Sequence, residues 1–293
     1  MKHKNFNIFI ATILLFLFTS CAHEEIPPDQ PSGYIQIKGS DTMVNLMQAL
    51  AEEFMKKYPY VFVAVTGGGS GIGIASLING TCDIASASRK MKPKEIKLAH
   101  ERGIDPQEFI VGYDGIAVVI NPDNPVDKLS IPELRDIFSG KIRNWKYFGG
   151  GDEEIVILSR EVSSGTHIYF KEHVLRMGRK NDKTEFSPQS LLLSSSQAIV
   201  EEVAQNPSAI GYFGMGYLNP RVKALAIARE KGKDYYLPSE ENVLTGKYPI
   251  SRPLFLYING DPQGIIKLFL DFVYSPQGSE QFRKIGFIPR RVE

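Results

Sequence analysis

Cysteine is scarce in this sequence, and neither sign of charge predominates. The 293 residues include two cysteines, and 34 basic residues nearly balance 33 acidic ones, which gives a formal net charge of +1. A nucleic-acid-binding protein normally carries a basic excess, so this balance argues against that class of protein. The five histidines have no metal-ligand spacing, because His167 and His173 are six residues apart and would face different sides of a helix. We therefore expect no metal site, no cofactor and no nucleic-acid partner.

The N-terminus has the parts of an export signal. A basic start, Met1-Lys2-His3-Lys4, precedes an apolar run from Phe6 to Phe18, and small residues follow. The apolar run is shorter than the roughly 20 residues that a membrane-spanning helix needs. This pattern predicts a signal peptide over residues 1–20, which would be removed from the mature protein.

The end of the signal resembles the lipobox of bacterial lipoproteins. This motif is Phe18-Thr19-Ser20-Cys21, in which phenylalanine replaces the more usual leucine. The cysteine of a lipobox is acylated and becomes the new N-terminus, so we predict Cys21 as a lipidation site. Two or more acyl chains hold a protein stably on a membrane. Residues 21–32, rich in proline and acid, would form a lipidated flexible tether. The alternative is a plain signal peptide with an incidental cysteine.

The remainder of the chain, from Gly33 to Glu293, is long enough for one large or two medium-sized domains. Removal of Lys2 and Lys4 with the signal leaves 32 basic residues against 33 acidic ones, a net charge of −1. If Cys21 is acylated, Cys82 is the only cysteine left, so no intramolecular disulfide is expected.

Short apolar runs alternate with amphipathic segments along this remainder. Residues 34–38 predict a strand and residues 44–55 a helix, and the same order recurs at 61–65 and 74–80. This alternation predicts α/β layers with mainly parallel sheets flanked by helices. Residues 109–120 form a longer apolar run, which we interpret as two segments joined by a bend or a crossover between domains.

Four polar turns lie where a predicted strand ends and a helix begins. In the last of them Ser163, Ser164 and Thr166 can cap the following helix, and Arg160 offers a fork of donors that fits an oxyanion. Free N–H groups at helix starts favour anions. The alternatives are ordinary helix caps, glycines that only form turns, and a surface arginine. The four turns are Ser40–Thr42, Gly67–Gly71, Ser86–Arg89 and Arg160–Thr166.

These residues alone indicate an exported α/β protein that binds an oxyanion, and a family resemblance extends that interpretation. The sequence resembles the phosphate-binding protein of the bacterial ABC phosphate transporter, over essentially the whole mature chain. The motifs stand in the family's order: Gly39-Ser40-x-Thr42, Gly67-Gly68-Gly69-Ser70-Gly71, Asp83-Ile84-x-x-x-Ser88-Arg89, Tyr113-Asp114-Gly115, Arg160-Glu161-x-x-Ser164-Gly165-Thr166, Ile210-Gly211-Tyr212 and Pro249-Ile250-Ser251-Arg252-Pro253.

The resemblance implies a two-domain periplasmic-binding-protein fold with a central ligand cleft that closes by hinge motion. Two crossover strands would pass near Val118 and Leu254. Domain I would comprise residues 33–118 and 254–293, and domain II residues 119–253. The implied partners are inorganic phosphate, the permease subunits of an ABC transporter in the inner membrane and, through Cys21, a membrane. The protein would act as a monomer in the periplasm or at the cell surface.

The resemblance also implies the ligand-binding residues by position. They are Ser40, Thr42, Ser70, Ser88, Arg89, Asp114, Arg160, Ser164, Gly165 and Thr166. Some family members have an aspartate where Ser88 stands, and its carboxylate accepts the hydrogen of protonated phosphate. Such an acceptor rejects sulfate, which has no hydrogen to offer. Since Ser88 occupies that position here, we expect Asp114, or alternatively Asp41, to be the acceptor.

Other functions are compatible with parts of this pattern. The ligand could be another oxyanion, namely sulfate, molybdate or tungstate, and the same fold could serve a sensor or an adhesin. A serine hydrolase would use Ser164 as nucleophile, with a base beside it. His167, three residues along the same helix, would aim poorly at it, and no Gly-x-Ser-x-Gly elbow is present. We therefore expect a binding protein and not an enzyme.

Overall fold

The computed structural model describes residues 27–290. The predicted signal peptide, Cys21 and residues 22–26 of the predicted tether lie outside the described residues. The described residues from Pro31 onward pack as one compact unit. Between residues 27 and 290, none of the helices combines the length and the apolar character that crossing a membrane requires.

Strands and helices alternate along the described chain, as predicted. The strands are β1 (Gly33–Gly39), β2 (Val61–Thr66), β3 (Ile84–Ala87), β4 (Pro106–Ile120), β5 (Lys128–Ser130), β6 (Val156–Arg160), β7 (Leu191–Leu193), β8 (Ala209–Gly214), β9 (Lys223–Ala224), β10 (Ala226–Ala228), β11 (Ser251–Asn259) and β12 (Ile288–Pro289). The helices are α1 (Val44–Lys57), α2 (Ser70–Ile78), α3 (Pro93–Glu101), α4 (Ile131–Phe138), α5 (Gly165–Phe170), α6 (Ser196–Gln205), α7 (Glu240–Leu244), α8 (Gly264–Tyr274) and α9 (Pro276–Lys284).

Most of the strands join one large sheet in the order β2-β1-β3-β11-β4-β8-β6-β7. Both flanks are parallel, since β1 pairs in parallel with β2 and β3, and β6 with β7 and β8. In the centre, β11 is antiparallel to β3 and β4, and β4 is antiparallel to β8. The parallel pairing that the alternation predicts is therefore found in the flanks, while the two long central strands run antiparallel to their neighbours.

The central strand β4 belongs to both halves of this sheet. It is continuous over 15 residues, so the interpretation of the apolar run as two separate segments is wrong. Residues 106–115 pair with β11, whereas residues 116–120 pair with β8. Nearly the whole length of β4 is hydrogen-bonded, because the strand pairs with β11 in the first half-sheet and then with β8 in the second. The pairing partner of β4 thus changes after Gly115, within the apolar run.

Each half of the sheet has its own hydrophobic core. In the first half, Phe54 of α1 lies edge-on to Phe269 of α8, with ring centroids 5.2 Å apart. In the second half, Phe170 stacks on Tyr212 at 3.9 Å, and both rings are buried. Because β4 contributes buried side chains to both cores, the chain passes between the halves without interrupting either. The polar turns at the strand ends lie outside these cores, at the junction where the two halves of the sheet join.

Candidate functional site

The structure brings the four polar turns together where the two halves of the sheet meet. The hydroxyl oxygens of Thr42, from the first half, and Thr166, from the second, are 2.8 Å apart. The Gly71 N–H donates to the Ser163 carbonyl at 3.0 Å, which joins another pair of turns across the junction. Both threonine side chains are almost fully buried. The turns thus form one enclosed polar cluster, which their sequence positions alone did not establish.

Ser40 links the first turn to the third. Its N–H donates both to the Ser86 carbonyl, at 2.9 Å, and to the Ser86 hydroxyl, at 3.1 Å. Because β1 and β3 are neighbouring parallel strands, the turns that follow them meet at the same edge of the sheet. Ser40 therefore lies in the cluster, 2 % exposed.

Ser70, Ser88 and Gly165 form a tight contact between the halves. The Ser70 hydroxyl accepts the Ser88 N–H at 3.0 Å and lies 3.2 Å from the Ser88 hydroxyl. A Cβ atom at Gly165 would approach these two hydroxyl oxygens to 2.4 Å and 2.6 Å. Only glycine lets the backbone at the start of α5 come this close to the first half of the sheet.

Ser164 is the N-cap of α5. Its hydroxyl accepts the N–H groups of Thr166 and His167, at 3.2 Å and 3.4 Å. The predicted capping of this helix by a small hydroxyl residue is confirmed. The cap fixes the direction of the first helical turn, and that turn carries Thr166 to its contact with Thr42.

Arg160 ends β6 as a buried residue, 1 % exposed, which rules out the alternative of a surface arginine. Its Nη2 donates to Asp41 Oδ2 at 2.8 Å and to the Ser194 carbonyl at 2.9 Å, and its Nη1 donates to the Ser196 hydroxyl at 2.9 Å. Its Nε donates to the Leu193 carbonyl at 3.3 Å. Burial lowers the pKa of Arg160, and the Asp41 carboxylate opposes that shift. A guanidinium keeps its charge in proteins, and the hydrogen bonds from Nε, Nη1 and Nη2 fix that of Arg160 in one orientation.

Arg89 is directed toward α3. Its Nη1 and Nη2 donate to the two carboxylate oxygens of Glu95, each at 2.8 Å, in a bidentate ion pair. Glu95 also accepts the Lys92 N–H at 2.8 Å, as part of the capping box that begins α3. Within the described residues, Arg89 Nε is buried without a hydrogen-bond partner. The guanidinium of Arg89 is thus held by a carboxylate in the first turn of α3.

Arg252 of β11 lies at the centre of the cluster, although the sequence did not single it out. Its Nη2 donates to Thr166 Oγ1 at 2.8 Å, to Asp114 Oδ2 at 2.9 Å and to Thr42 Oγ1 at 3.3 Å. Its Nη1 donates to the Ser88 carbonyl at 3.0 Å. The signal in the sequence was a single charged residue within the apolar run 249–258, because a buried arginine requires a partner.

Asp114 is the counter-ion of Arg252 and is completely buried. The two residues stand directly opposite each other in the antiparallel pairing of β4 and β11. Asp114 Oδ1 accepts the Met215 N–H at 3.0 Å, so both carboxylate oxygens are hydrogen-bonded. Burial raises the pKa of Asp114, while the guanidinium and the amide oppose that shift.

His167 is directed into the second core. Its Nδ1 lies 3.2 Å from the Ser159 hydroxyl, which in turn lies 2.7 Å from the Tyr212 hydroxyl. Burial lowers the pKa of His167 to about 4, so the imidazole is neutral at physiological pH. The Ser164 hydroxyl is engaged with backbone N–H groups. These contacts do not form the pair of nucleophile and base that a serine hydrolase requires.

The cluster as a whole suits a dehydrated oxyanion. Hydroxyl groups from both halves converge on it, and each of its three buried guanidinium groups, Arg89, Arg160 and Arg252, is balanced by a carboxylate. Directed hydrogen bonds, and not a net positive charge, would hold the anion. Residues 27–290 contain no group of three or more His, Cys, Asp or Glu side chains placed to hold a metal ion.

The fold and this site define a class of solute-binding proteins. A family model for the PBP superfamily domain matches residues 27–277. The chain is 33% identical to the phosphate-binding protein PstS of Pseudomonas aeruginosa over 275 residues, which cover 88% of this chain and 83% of that protein. It is 35% identical to PstS of Bacillus subtilis over 251 residues, with coverage of 84% and 77%. The chain belongs to the PBP superfamily and, within it, to the family of the phosphate-binding protein PstS.

Solved structures agree with this assignment. A substrate-binding protein of a phosphate ABC transporter from Clostridium perfringens, solved with bound phosphate, superposes with a TM-score of 0.79 at 32% identity. That match covers 88% of this chain and all of the other. An ABC-type phosphate transport receptor from Vibrio cholerae gives a TM-score of 0.68 at 31% identity, with coverage of 87% and 100%. The predicted α/β binding-protein fold is confirmed.

The buried, neutral state of His167 predicts a pH dependence of folding stability. The unfolded chain binds a proton at this imidazole near pH 6.5, whereas the folded chain excludes it down to about pH 4. The free energy of unfolding should therefore fall by up to about 3 kcal/mol as the pH is lowered through this range. Urea unfolding of ligand-free protein at pH 7, 6, 5 and 4.5 measures the loss.

The matched variant is His167→Gln, which keeps a polar side chain but has no titration in this range. Its free energy of unfolding should fall less steeply between pH 6.5 and pH 4.5 than that of the wild type. The carboxylates that titrate at lower pH are common to both proteins and cancel in the comparison. Identical pH slopes would show that His167 is not held neutral by the fold.

Proposed function

We propose that this chain is an extracytoplasmic solute-binding protein that captures inorganic phosphate between the two halves of its sheet and delivers it to an ABC importer. The observation that carries this proposal is the buried cluster of hydroxyl and guanidinium groups to which both halves contribute. Thr42 and Thr166 illustrate it, because their hydroxyls touch across the junction. A ligand held there is enclosed only when the halves come together, as capture and release for transport require.

The charges of the cluster are balanced, which favours an anion bound through directed hydrogen bonds, such as phosphate, over a ligand bound by net positive charge. Asp41 neutralises Arg160, and Asp114 neutralises Arg252. The anion would exchange its hydration shell for fixed N–H and O–H dipoles in a buried setting, where each dipole acts more strongly than in water. A nearly neutral chain can therefore bind a dianion.

We propose as ligand-binding residues the set that the family resemblance implies: Ser40, Thr42, Ser70, Ser88, Arg89, Asp114, Arg160, Ser164, Gly165 and Thr166. The hydroxyls and the Gly165 backbone would contact the oxyanion, and Arg160 would add a directed N–H. Arg89 would act by fixing the turn that carries Ser88, since its guanidinium is paired with Glu95.

Asp114 is the proposed acceptor for the hydrogen of protonated phosphate, and Asp41 is the alternative. Asp114 Oδ2 already accepts two hydrogen bonds from Arg252, whereas Asp114 Oδ1 and both oxygens of Asp41 accept one each. A carboxylate oxygen with one such bond can accept a second. Complete burial supports Asp114, because an unscreened carboxylate repels an anion that lacks a hydrogen.

The organisation and location of the chain complete the proposal. Domain I would comprise residues 33–118 and 254–293, and domain II residues 119–253. The change of partner in β4 and the start of β11 near these boundaries support this division. Acylated Cys21 would anchor the monomer to a membrane, in the periplasm or at the cell surface, where the permease subunits receive phosphate. The function is binding and not catalysis.

The direct test is calorimetric titration of residues 33–293, freed of bound ligand, first with phosphate and then with sulfate at neutral pH. We expect tight phosphate binding and no heat from sulfate, because a carboxylate acceptor discriminates between the two anions. Equal binding of sulfate would show that the change to Ser88 has altered the ligand. Absence of binding to both anions would exclude phosphate capture.

The fork of Arg160 predicts a second result. Arg160→Lys retains the charge but cannot keep the contacts to Asp41 and Ser196 at once, so phosphate affinity should fall at least tenfold, or about 1.4 kcal/mol. Arg221→Lys is the matched control, since Arg221 pairs with Glu201 at the surface, far along the chain from the polar turns. Calorimetric titration of both variants with phosphate measures the two affinities, and that of Arg221→Lys should equal the wild-type value. Unchanged affinity in Arg160→Lys would remove Arg160 from the site.

The close approach at Gly165 predicts a third result. The added methyl group in Gly165→Ala would meet Ser70 Oγ at 2.4 Å and hold the halves apart. Phosphate affinity should drop by more than tenfold, and small-angle scattering with phosphate should show a less compact particle than the wild type. Gly151→Ala is the control, because its nearest neighbours, atoms of the Glu153 side chain, are 3.7 Å away. Wild-type affinity in both variants would mean that the halves need not meet there.

A further inference from the structure

Arg252 and Asp114 lie on the two strands that link the halves of the sheet. Asp114 immediately precedes the point where β4 changes partner, and Arg252 is the second residue of β11. Their backbones are directly opposed, and their side chains are 1 % and 0 % exposed. A hinge motion that separates the flanking strands leaves this pair intact, because both partners belong to the connecting strands.

Arg160, another buried arginine of the cluster, behaves differently on opening. Arg160 ends β6 in the second half, whereas its partner Asp41 follows β1 in the first half. Separation of the halves breaks that ion pair. Arg252 therefore keeps its partner at the floor of the cleft before the ligand is enclosed, whereas Arg160 does not.

The Nη2 atom of Arg252 lies within hydrogen-bonding distance of more acceptors than it has hydrogens to donate. It carries two, and its three acceptors are Asp114 Oδ2, Thr166 Oγ1 and Thr42 Oγ1, at 2.9, 2.8 and 3.3 Å. One threonine comes from each half of the sheet. Arg252 thus connects the ion pair of the hinge to the two hydroxyls that meet when the halves close.

This contact determines which way the threonine hydroxyls point. A hydroxyl has one hydrogen, and an oxygen that accepts from a guanidinium must direct that hydrogen elsewhere. Only one of the two hydrogens is needed for the contact between Thr42 and Thr166. The other is free to donate to an anion. Asp114 meanwhile cancels the charge of Arg252, so the arginine contributes orientation without a general attraction for anions.

We propose that Arg252 is a positioning residue of the phosphate site, which orients the hydroxyls of Thr42 and Thr166 as donors to the anion and couples them to the hinge through Asp114. The inference rests on the proposed function, and it adds to that function a residue outside the ten of the proposed ligand-binding set.

A double-mutant comparison on the full chain, purified in detergent and freed of ligand, tests this role. Arg252→Lys is introduced into the wild type and into a Thr42→Val, Thr166→Val background. Equilibrium dialysis with labelled phosphate, up to millimolar concentration, gives the dissociation constants. In the wild type, Arg252→Lys should weaken binding about 10- to 100-fold, the range for a lost hydrogen bond to a charged group.

In the valine background the same change should weaken binding by less than about threefold, because the hydroxyls through which Arg252 acts are absent. Arg135→Lys is the control, since Arg135 is a largely buried arginine paired with Asp182 in the second half. It should leave phosphate affinity unchanged in both backgrounds. If Arg252→Lys does not fold, Arg252→Met with Asp114→Asn is compared with Asp114→Asn alone, which leaves no unpaired buried charge.

The possible outcomes separate this inference from the function on which it rests. Equal losses in the two backgrounds would show that Arg252 acts by another route, such as general support of the fold, and would overturn the proposal. No loss in either background would also overturn it. Failure of the wild type to bind phosphate would instead refute the proposed function itself.

Discussion

The buried ion pair between Arg252 and Asp114 is the interaction on which the rest of the site depends. Removing two charges from water carries a penalty of several kcal/mol for each, which is recovered only with close contact and further hydrogen bonds. Here β4 and β11 provide both, because their antiparallel register places the two residues face to face. The Met215 N–H and the Ser88 carbonyl satisfy the remaining groups. The ion pair thus joins the two long central strands directly to the polar cluster.

The second constraint is that the site has directed donors but almost no net charge. Arg160 is held by Asp41 from the opposite half, so the contact between the halves and the orientation of the guanidinium are linked. The hydroxyls of Thr42 and Thr166 meet at the same junction. Selectivity among anions then depends on hydrogen-bond geometry. Contacts between the two halves therefore form part of that geometry.

Local structure was largely predictable from the sequence. Apolar runs and polar turns located the strand and helix ends around the site, and Ser164 was among the residues expected to cap α5. The continuity of β4 was not predictable, because a long apolar run reads equally well as two short strands when its neighbours are unknown. The importance of Arg252 was also missed, since its partner Asp114 lies 138 residues away along the chain.

The sequence by itself determined that this is an α/β chain with polar turns at strand ends, since those features follow from local patterns of apolar, small and hydroxyl residues. It also determined family membership, through motifs that stand in a fixed order. Tertiary structure alone decided that the turns converge, that Arg160 pairs with Asp41, and that Arg252 contacts Asp114 and the hydroxyls of Thr42 and Thr166. The physical reason is that strand order and register set these contacts, and both depend on residues far apart in the chain.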